Sequence, residues 1–432
     1  MALTGFRIQA NSAFQRQQFH SDAELEFDVV TVQRSSPSLT TSSLTKISAR
    51  EFEPWIQHST SSQCERALRL VRIDRDNNEI LNCSRENFLA CFGAFRLETS
   101  FLYLIQQVSS GLYHVRSTAA DNPARIADVF YVSTLSYSLM WSFDPLWPSA
   151  SAIFIPRHGN SLWASSQQTF DRFVDQLEYH KDLVDSAYFL LFVATVDTLQ
   201  WMHKFLEIEL YDIRHIEAIT GHSSWTSADR QLPDPETLNE MSQSSGRCLS
   251  GLFIVSRHLS IVNRMLDSMR NGLEPNVSSY NFNSSKQQAT ADQSILEGLE
   301  ILQCQLDNAD DLNTYLQNRA KNQISVIFNL LAREDAHQSH EVARAAKEDS
   351  SAMKTIAVMT MVFLPGTFFA ALFAMPSVPE LVSSHFWVYW VFSVPCTILV
   401  FVVWLLIMMR VAIVDSLRKL IARGSGSKGE DD

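Results

Sequence analysis

The sequence predicts an α+β domain followed by a very long stalk helix and a C-terminal transmembrane hairpin of two helices. Three observations carry that prediction. Two uncharged apolar runs lie close together near the C-terminal end, a helical period runs into the first of them without a break, and segments rich in β-branched and aromatic residues occupy Ala67 to Phe154.

Residues 1–45 come first, and their polar run through Ser35-Ser36-Pro37-Ser38 and Thr40-Thr41-Ser42-Ser43 offers little surface to bury, so this stretch is expected to be a flexible arm. Residues 46–271 form the α/β domain. Within it Ala67–Ile73, Val129–Phe143 and Ala152–Ile155 mix β-branched and aromatic residues between turn signals such as Asp144-Pro145 and Pro156, the pattern of strands in a mixed sheet. A helical half follows, because Phe170, Phe173, Val174, Leu177, Leu183, Val184 and Ala187 recur at steps of three and four. The strongly apolar stretch Ala187–Val196 covers ten residues, too few to cross a bilayer, and reads as a core helix. A further helical pattern covers Glu236 to Met269.

Gly272, Pro275 and the polar run Ser278–Gln288 mark a linker over 272–290. The stalk helix, 291–354, carries Ile295, Leu299, Leu302, Leu306, Ala309, Leu316, Ala320, Ile324, Ile327 and Leu331 largely at steps of three and four. No Gly or Pro interrupts Leu299–Leu364. From Ser294 to Met375 such a helix would extend roughly 120 Å, too far to pack inside one subunit, and its apolar stripe is expected to meet like helices from neighbouring copies.

Thr355–Met375 and Phe386–Met409 contain no charged residue over 21 and 24 positions, each enough to cross a hydrocarbon core about 30 Å thick. Residues 376–385 form the outer loop. Lys347 and Lys354 precede the first span, Arg410, Arg418, Lys419 and Arg423 follow the second in the tail 410–432, and the loop has no base. Both termini are therefore expected in the cytoplasm. The first 22 residues lack the apolar core of a secretory signal; Arg7 and Arg16 stand there without an acid before Asp22, and the plasma membrane is expected ahead of the mitochondrial inner membrane.

A formal charge of −12 argues against nucleic acid as a partner. The six cysteines show neither C-x-x-C pairs nor zinc-like spacing and read as reduced thiols. His203, His215 and His222 surround Glu217 without the H-E-x-x-H spacing, and neither G-x-S-x-G nor a glycine-rich phosphate loop is present, so the chain is not read as an enzyme.

Ser351-Ala352-Met353-Lys354-Thr355-Ile356-Ala357, Phe363-Leu364-Pro365-Gly366-Thr367-Phe368, Ala374-Met375-Pro376 and Pro379-Glu380-Leu381 resemble the first membrane helix and loop of the CorA magnesium transporter family, its fungal branch in particular. The resemblance implies a homopentameric funnel. An αβα domain would feed a stalk helix that becomes the pore-lining first span, Mg²⁺ would be the transported ion with Co²⁺ and Ni²⁺ as further candidates, and cytoplasmic divalent cations would close the gate. It implies no cofactor beyond the ion itself, and as partners it implies membrane lipids and other copies of the chain.

The family's outer-mouth motif is Gly-Met-Asn. Here Ala374 and Pro376 flank the retained Met375, so no carboxamide stands at the entrance. Glu380 could ring that entrance with charge or be a solvated loop carboxylate. The basic collar that family members carry after the second span is thin, with Arg410 followed by apolar Val411–Val414.

Stepping by three and four along the first span places Ser350, Met353, Ala357, Thr360, Leu364, Thr367, Ala371 and Ala374 on one face, as a narrow pore requires; small residues of this kind also let membrane helices pack with no channel between them. Met353 and Leu364 would be the apolar constrictions. Asp307, Asp310, Asp311, Glu334 and Asp335 on the stalk are the candidate regulatory metal ligands that the resemblance suggests, and a solvated polar helix face, the first reading for each taken singly, explains them without any metal. The competing functional reading is a non-conducting, membrane-anchored sensor or interaction protein on the same scaffold.

Overall fold

The structure is a computed structural model that describes residues 2–20, 25–36, 39–57, 66–76, 78–107, 109–119, 122–143, 149–157, 165–221, 233–273, 286–375 and 387–425. The chain divides into two compact units, Met1–Asn329 and Leu330–Asp432.

The first unit is built on a mixed sheet of seven strands: β1 (Glu26–Ser36), β2 (Leu39–Ser48), β3 (Arg66–Arg72), β4 (Gly111–Ala119), β5 (Asn122–Ser133), β6 (Tyr137–Phe143) and β7 (Ser149–Pro156), in the order β2-β1-β3-β7-β6-β5-β4. β3 and β7 pair in parallel, with Leu68 opposite Ala150 and Leu70 opposite Ala152, while every other neighbouring pair is antiparallel. Side chains alternate across a strand, and here both alternating sets are buried. Val30, Phe130, Val132 and Phe154 face one core; Val29, Val129, Tyr131, Ile153 and Ile155 face the other.

The second of these cores is closed by α1 (Ala2–Phe14), α2 (Ala49–Gln57), α3 (Arg85–Ala94) and α4 (Phe101–Gln106), through Phe14, Phe52, Phe88 and Phe101. The first is closed by α5 (Ser166–Tyr179), α6 (Phe189–Thr220), α7 (Pro235–Leu273) and the N-terminal part of α8 (Lys286–Phe373). Helix–sheet–helix layering follows from a sheet that is apolar on both faces.

Three expectations change. Residues 1–45 are not a loose arm: they supply α1, β1 and most of β2. The hydroxyl-rich segment forms an edge strand whose side chains are largely exposed and whose register is set by backbone pairing, Val32 to Ser42 and Thr31 to Ser43. Second, the apolar stripe of the stalk meets its own chain, since Ile295, Leu299, Leu302, Leu306, Leu316 and Ala320 are buried in the core shared with α6 and α7. That part of the helix needs no neighbouring copy to cover it. Third, the linker is shorter than 272–290, because α7 reaches Leu273 and α8 starts at Lys286.

Polar ties fasten the helical layer. Arg319 on α8 grips the Glu217 carboxylate in a fork, Nε to Oε1 at 2.9 Å and Nη2 to Oε2 at 2.5 Å, and its guanidinium lies 5.2 Å from the Tyr315 ring centre. The Asn313 and Gln317 amides donate to Ser256 Oγ on α7 at 2.8 and 2.9 Å. Asp197, wholly buried on α6, is neutralised by Arg172 of α5 at 2.6 Å, as a dry carboxylate requires. α6 ends at Gly221 with φ of 73°, a left-handed stop that a residue with a Cβ disfavours.

The second unit holds the C-terminal part of α8 and α9 (Trp387–Ser425), which continues past the expected end of the second span at Met409. Two described helices, α8 and Trp387–Ile407 of α9, are long and apolar enough to cross a membrane, and only 6% of each apolar window is buried. The contrast with Leu190–Ala194 of α6 is informative. That stretch is just as apolar and is buried in the core of the first unit, as expected of a core helix.

Candidate functional site

The candidate site is the apolar end of α8. Its helical geometry follows from local sequence, because Thr355–Leu364 lacks Gly and Pro and the one proline inside the helix, Pro365, is tolerated where a neighbouring helix packs against it. Pro365 is buried, as is Ser393 on α9. Next to it, the absent side chain of Gly366 leaves room for the Tyr389 hydroxyl: Tyr389 Oη donates to the Gly366 carbonyl at 3.2 Å, and a Cβ on Gly366 would stand 3.1 Å from the Tyr389 oxygen. Phe369 and Phe392 continue the contact, with ring centres 6.2 Å apart.

These hairpin contacts were not anticipated from the sequence. The signals that could have found them are the Pro-Gly pair in mid-helix and the spacing of Tyr389 and Ser393 by one helical turn.

The face proposed from the three-and-four stepping lies away from that contact. Ser350, Met353, Thr360, Leu364, Thr367, Ala371 and Ala374 are exposed and Ala357 is half-buried. Met353 and Leu364 are 69% and 70% exposed, so neither is covered by α9. Ile356, Met359, Val362, Phe363 and Phe368 are exposed as well.

The two hydroxyls on the face share one arrangement. Thr360 Oγ1 donates to the Ala357 carbonyl at 2.8 Å, and Thr367 Oγ1 lies 3.0 and 3.1 Å from the Phe363 and Leu364 carbonyls. A hydroxyl whose proton is committed to its own backbone presents only lone pairs outward. Each therefore offers an acceptor for a hydrated cation at no backbone cost.

Met375 is exposed at the end of this segment, where its amide bonds to the Leu372 carbonyl. Pro376 and Glu380 lie outside the described residues.

The stalk carboxylates are not gathered into one site within the chain. Asp307, Asp310, Asp311 and Asp335 are exposed and Glu334 is half-buried. Asp307 accepts from Gln303 at 3.0 Å and Glu334 from Gln338 at 3.3 Å, both one turn away along the helix.

No protein-family model matches the chain. It is 36% identical over 94 residues to "Notoamide biosynthesis cluster protein M′" of Aspergillus versicolor, a match that spans 19% of this chain and 19% of that protein. Among solved structures, the full-length CmaX protein is similar at a TM-score of 0.35 and 12% identity, covering 90% of this chain and 98% of that one. The CorA magnesium transporter from Methanocaldococcus jannaschii is similar at a TM-score of 0.34 and 9% identity, covering 87% and 96%.

Proposed function

We propose that the chain is one subunit of a CorA-like membrane channel for divalent cations, Mg²⁺ first and Co²⁺ or Ni²⁺ as further candidates. Transport is passive, driven by the membrane potential, and closed by cytoplasmic divalent ions. Five copies donate the apolar end of α8 to a common axis, and α9 stands outside it toward lipid.

The observation that carries this reading is the composition of the exposed α8 face: small and hydroxyl residues, two proton-committed threonines and two apolar residues, Met353 and Leu364, with no ionised group from Thr355 to Met375. Mg²⁺ gives up its water reluctantly. A path lined by hydroxyl lone pairs suits an ion that keeps its hydration shell, and the bulky apolar side chains suit closure by dewetting. The motif resemblance at Ser351–Ala357 and Phe363–Phe368, together with the α/β domain and long helix preceding the hairpin, supports the same assignment.

The test is ion flux into liposomes holding the purified full-length chain, under an inside-negative potential. Mg²⁺ or Co²⁺ uptake is expected; no flux under a steep inward gradient rejects the proposal. A mass of five chains in detergent is the accompanying expectation, because a monomer or dimer leaves no central axis.

A second reading, a non-conducting sensor on the same scaffold, is favoured by one observation, the Ala374-Met375-Pro376 sequence in place of Gly-Met-Asn. It expects Pro376→Asn combined with Ala374→Gly to create flux that the natural chain lacks. Equal conduction by the natural chain and the double variant removes it.

A further inference from the structure

Glu209 and Asp212, three residues apart on α6, meet Cys248 of α7, and one ligand atom from each lies within 4.8 Å of the other two. Glu209 and Cys248 are buried, and Asp212 is half-exposed at the edge of the cluster. Glu209 is only 5% exposed, and its Oε2 is buried without a hydrogen-bond partner. A carboxylate oxygen in that position costs stability unless a proton, a hydrogen-bond donor or a cation meets it.

The neighbouring backbone makes room for the carboxylate. Gly251, one turn after Cys248 on α7, has no side chain where a Cβ would stand 2.8 Å from Glu209 Oε1 and 2.8 Å from Phe205 Cζ. Burial, only partly offset by the facing Cys248 thiol, pushes the Glu209 carboxyl up to about 7; burial and the facing Glu209 push the Cys248 thiol up as well. The charged groups around the thiol are Glu209 and Asp212 from α6 and Arg247 from α7.

We propose that Glu209, Asp212 and Cys248 form a binding site for a zinc-class divalent cation that clamps α6 to α7. The donor set selects the ion. A thiolate excludes Mg²⁺, which takes hard oxygen ligands, and favours borderline ions such as Zn²⁺ and Co²⁺. Bonds of about 2.3 Å to sulfur and about 2.0–2.2 Å to oxygen need only a small inward rotation of side chains already this close. Three protein ligands leave a fourth position for water, and half-exposed Asp212 gives the route in. Binding displaces the Cys248 thiol proton, and the proton that Glu209 holds below about pH 7, to solvent. The site lies in the α/β unit and does not depend on the chain conducting ions.

The test uses the full-length chain in detergent, stripped with a chelator and titrated with Co²⁺. One thiolate-to-cobalt charge-transfer band per chain is expected, displaced by Zn²⁺ and untouched by excess Mg²⁺. Cys248→Ser abolishes it, Cys304→Ser at an exposed position leaves it unchanged, and Gly251→Ala lowers Co²⁺ affinity roughly 10- to 100-fold by displacing Glu209. Absence of the band from the natural chain overturns the proposal without reference to any variant. So does a band that survives Cys248→Ser, or Gly251→Ala binding with unaltered affinity.

Discussion

Without a metal, Glu209 makes the fold sensitive to pH in a direction opposite to that of an ion-paired carboxylate. Its folded-state value of about 7 lies above the ordinary 4.5, so the native state holds a proton that the unfolded chain has already released between those values. Stability from the protonated form is full below about pH 4.5 and is lost as the pH rises through about 7. At about 1.4 kcal/mol for each pH unit, the displacement amounts to roughly 3 kcal/mol. Glu209→Gln mimics the protonated acid. In chelator, the variant and the natural chain should unfold at similar temperatures near pH 4.5, and the variant should be the more stable by up to about 3 kcal/mol near pH 8.

The assay is thermal unfolding of both proteins across that range, read as the difference between them. Asp292, whose carboxyl burial also pushes up, and His180 and His258, whose imidazoles burial pushes down, titrate in both proteins and cancel. Parallel curves, or a gap that widens toward acid, would refute the reasoning. Saturating Zn²⁺ should reverse the order, because a bound cation favours a carboxylate, which the Glu209→Gln variant cannot supply.

Three further outcomes are expected. Arg319→Met strands the Glu217 carboxylate, 9% exposed, and should cost about 3 kcal/mol, whereas Arg319→Met with Glu217→Met should recover most of that loss; a double-variant loss equal to the sum of the Arg319→Met and Glu217→Met losses would show that the pair is uncoupled. Tyr389→Phe removes the bond to the Gly366 carbonyl and should cost under about 1 kcal/mol in detergent, while Gly366→Val should cost more because the first added carbon already stands 3.1 Å from the tyrosine oxygen. The reverse ranking in detergent melts would count against this hairpin contact. Leu364→Ser should raise cation flux in liposomes by making an apolar constriction wettable, and unchanged or lower flux would take Leu364 out of the path.

What could be read from the sequence tracks the range of the forces involved. Apolar periodicity is local, and α6, α7, α8 and the hairpin were all visible in it; the ten-residue limit also separated the core segment Ala187–Val196 from the two spans. β2 was not visible, because an edge strand of Leu39-Thr40-Thr41-Ser42-Ser43-Leu44 joins the sheet through backbone bonds that leave no trace in side-chain chemistry. The fate of the stalk's stripe was equally hidden. Ile295 and Leu299 announce that a partner exists, and only the folded chain shows that α6 and α7 provide it. Glu217 stood among three histidines in the sequence, yet its partner is Arg319, 102 residues later. The same distance effect hid the Glu209, Asp212 and Cys248 cluster: an acidic pair on one helix is commonplace, and Cys248 reaches it from the next helix.

The two cation chemistries proposed for this chain occupy different places for a physical reason. An ion path must bind weakly enough to release its ion, so strong anionic ligands inside a narrow membrane segment would trap a zinc-class cation instead of passing it. From Thr355 to Met375 there is no Asp, Glu, His or Cys; the polar groups on the candidate face are hydroxyls with their protons tied to the backbone. A holding site has the opposite requirement. Two carboxylates and a thiol, partly withdrawn from water between α6 and α7, pass that requirement for borderline ions and fail it for Mg²⁺. Segregating the ligands in this way would let one chain pass a hydrated ion while retaining a softer one, so that on these two proposals loss of either function should leave the other measurable.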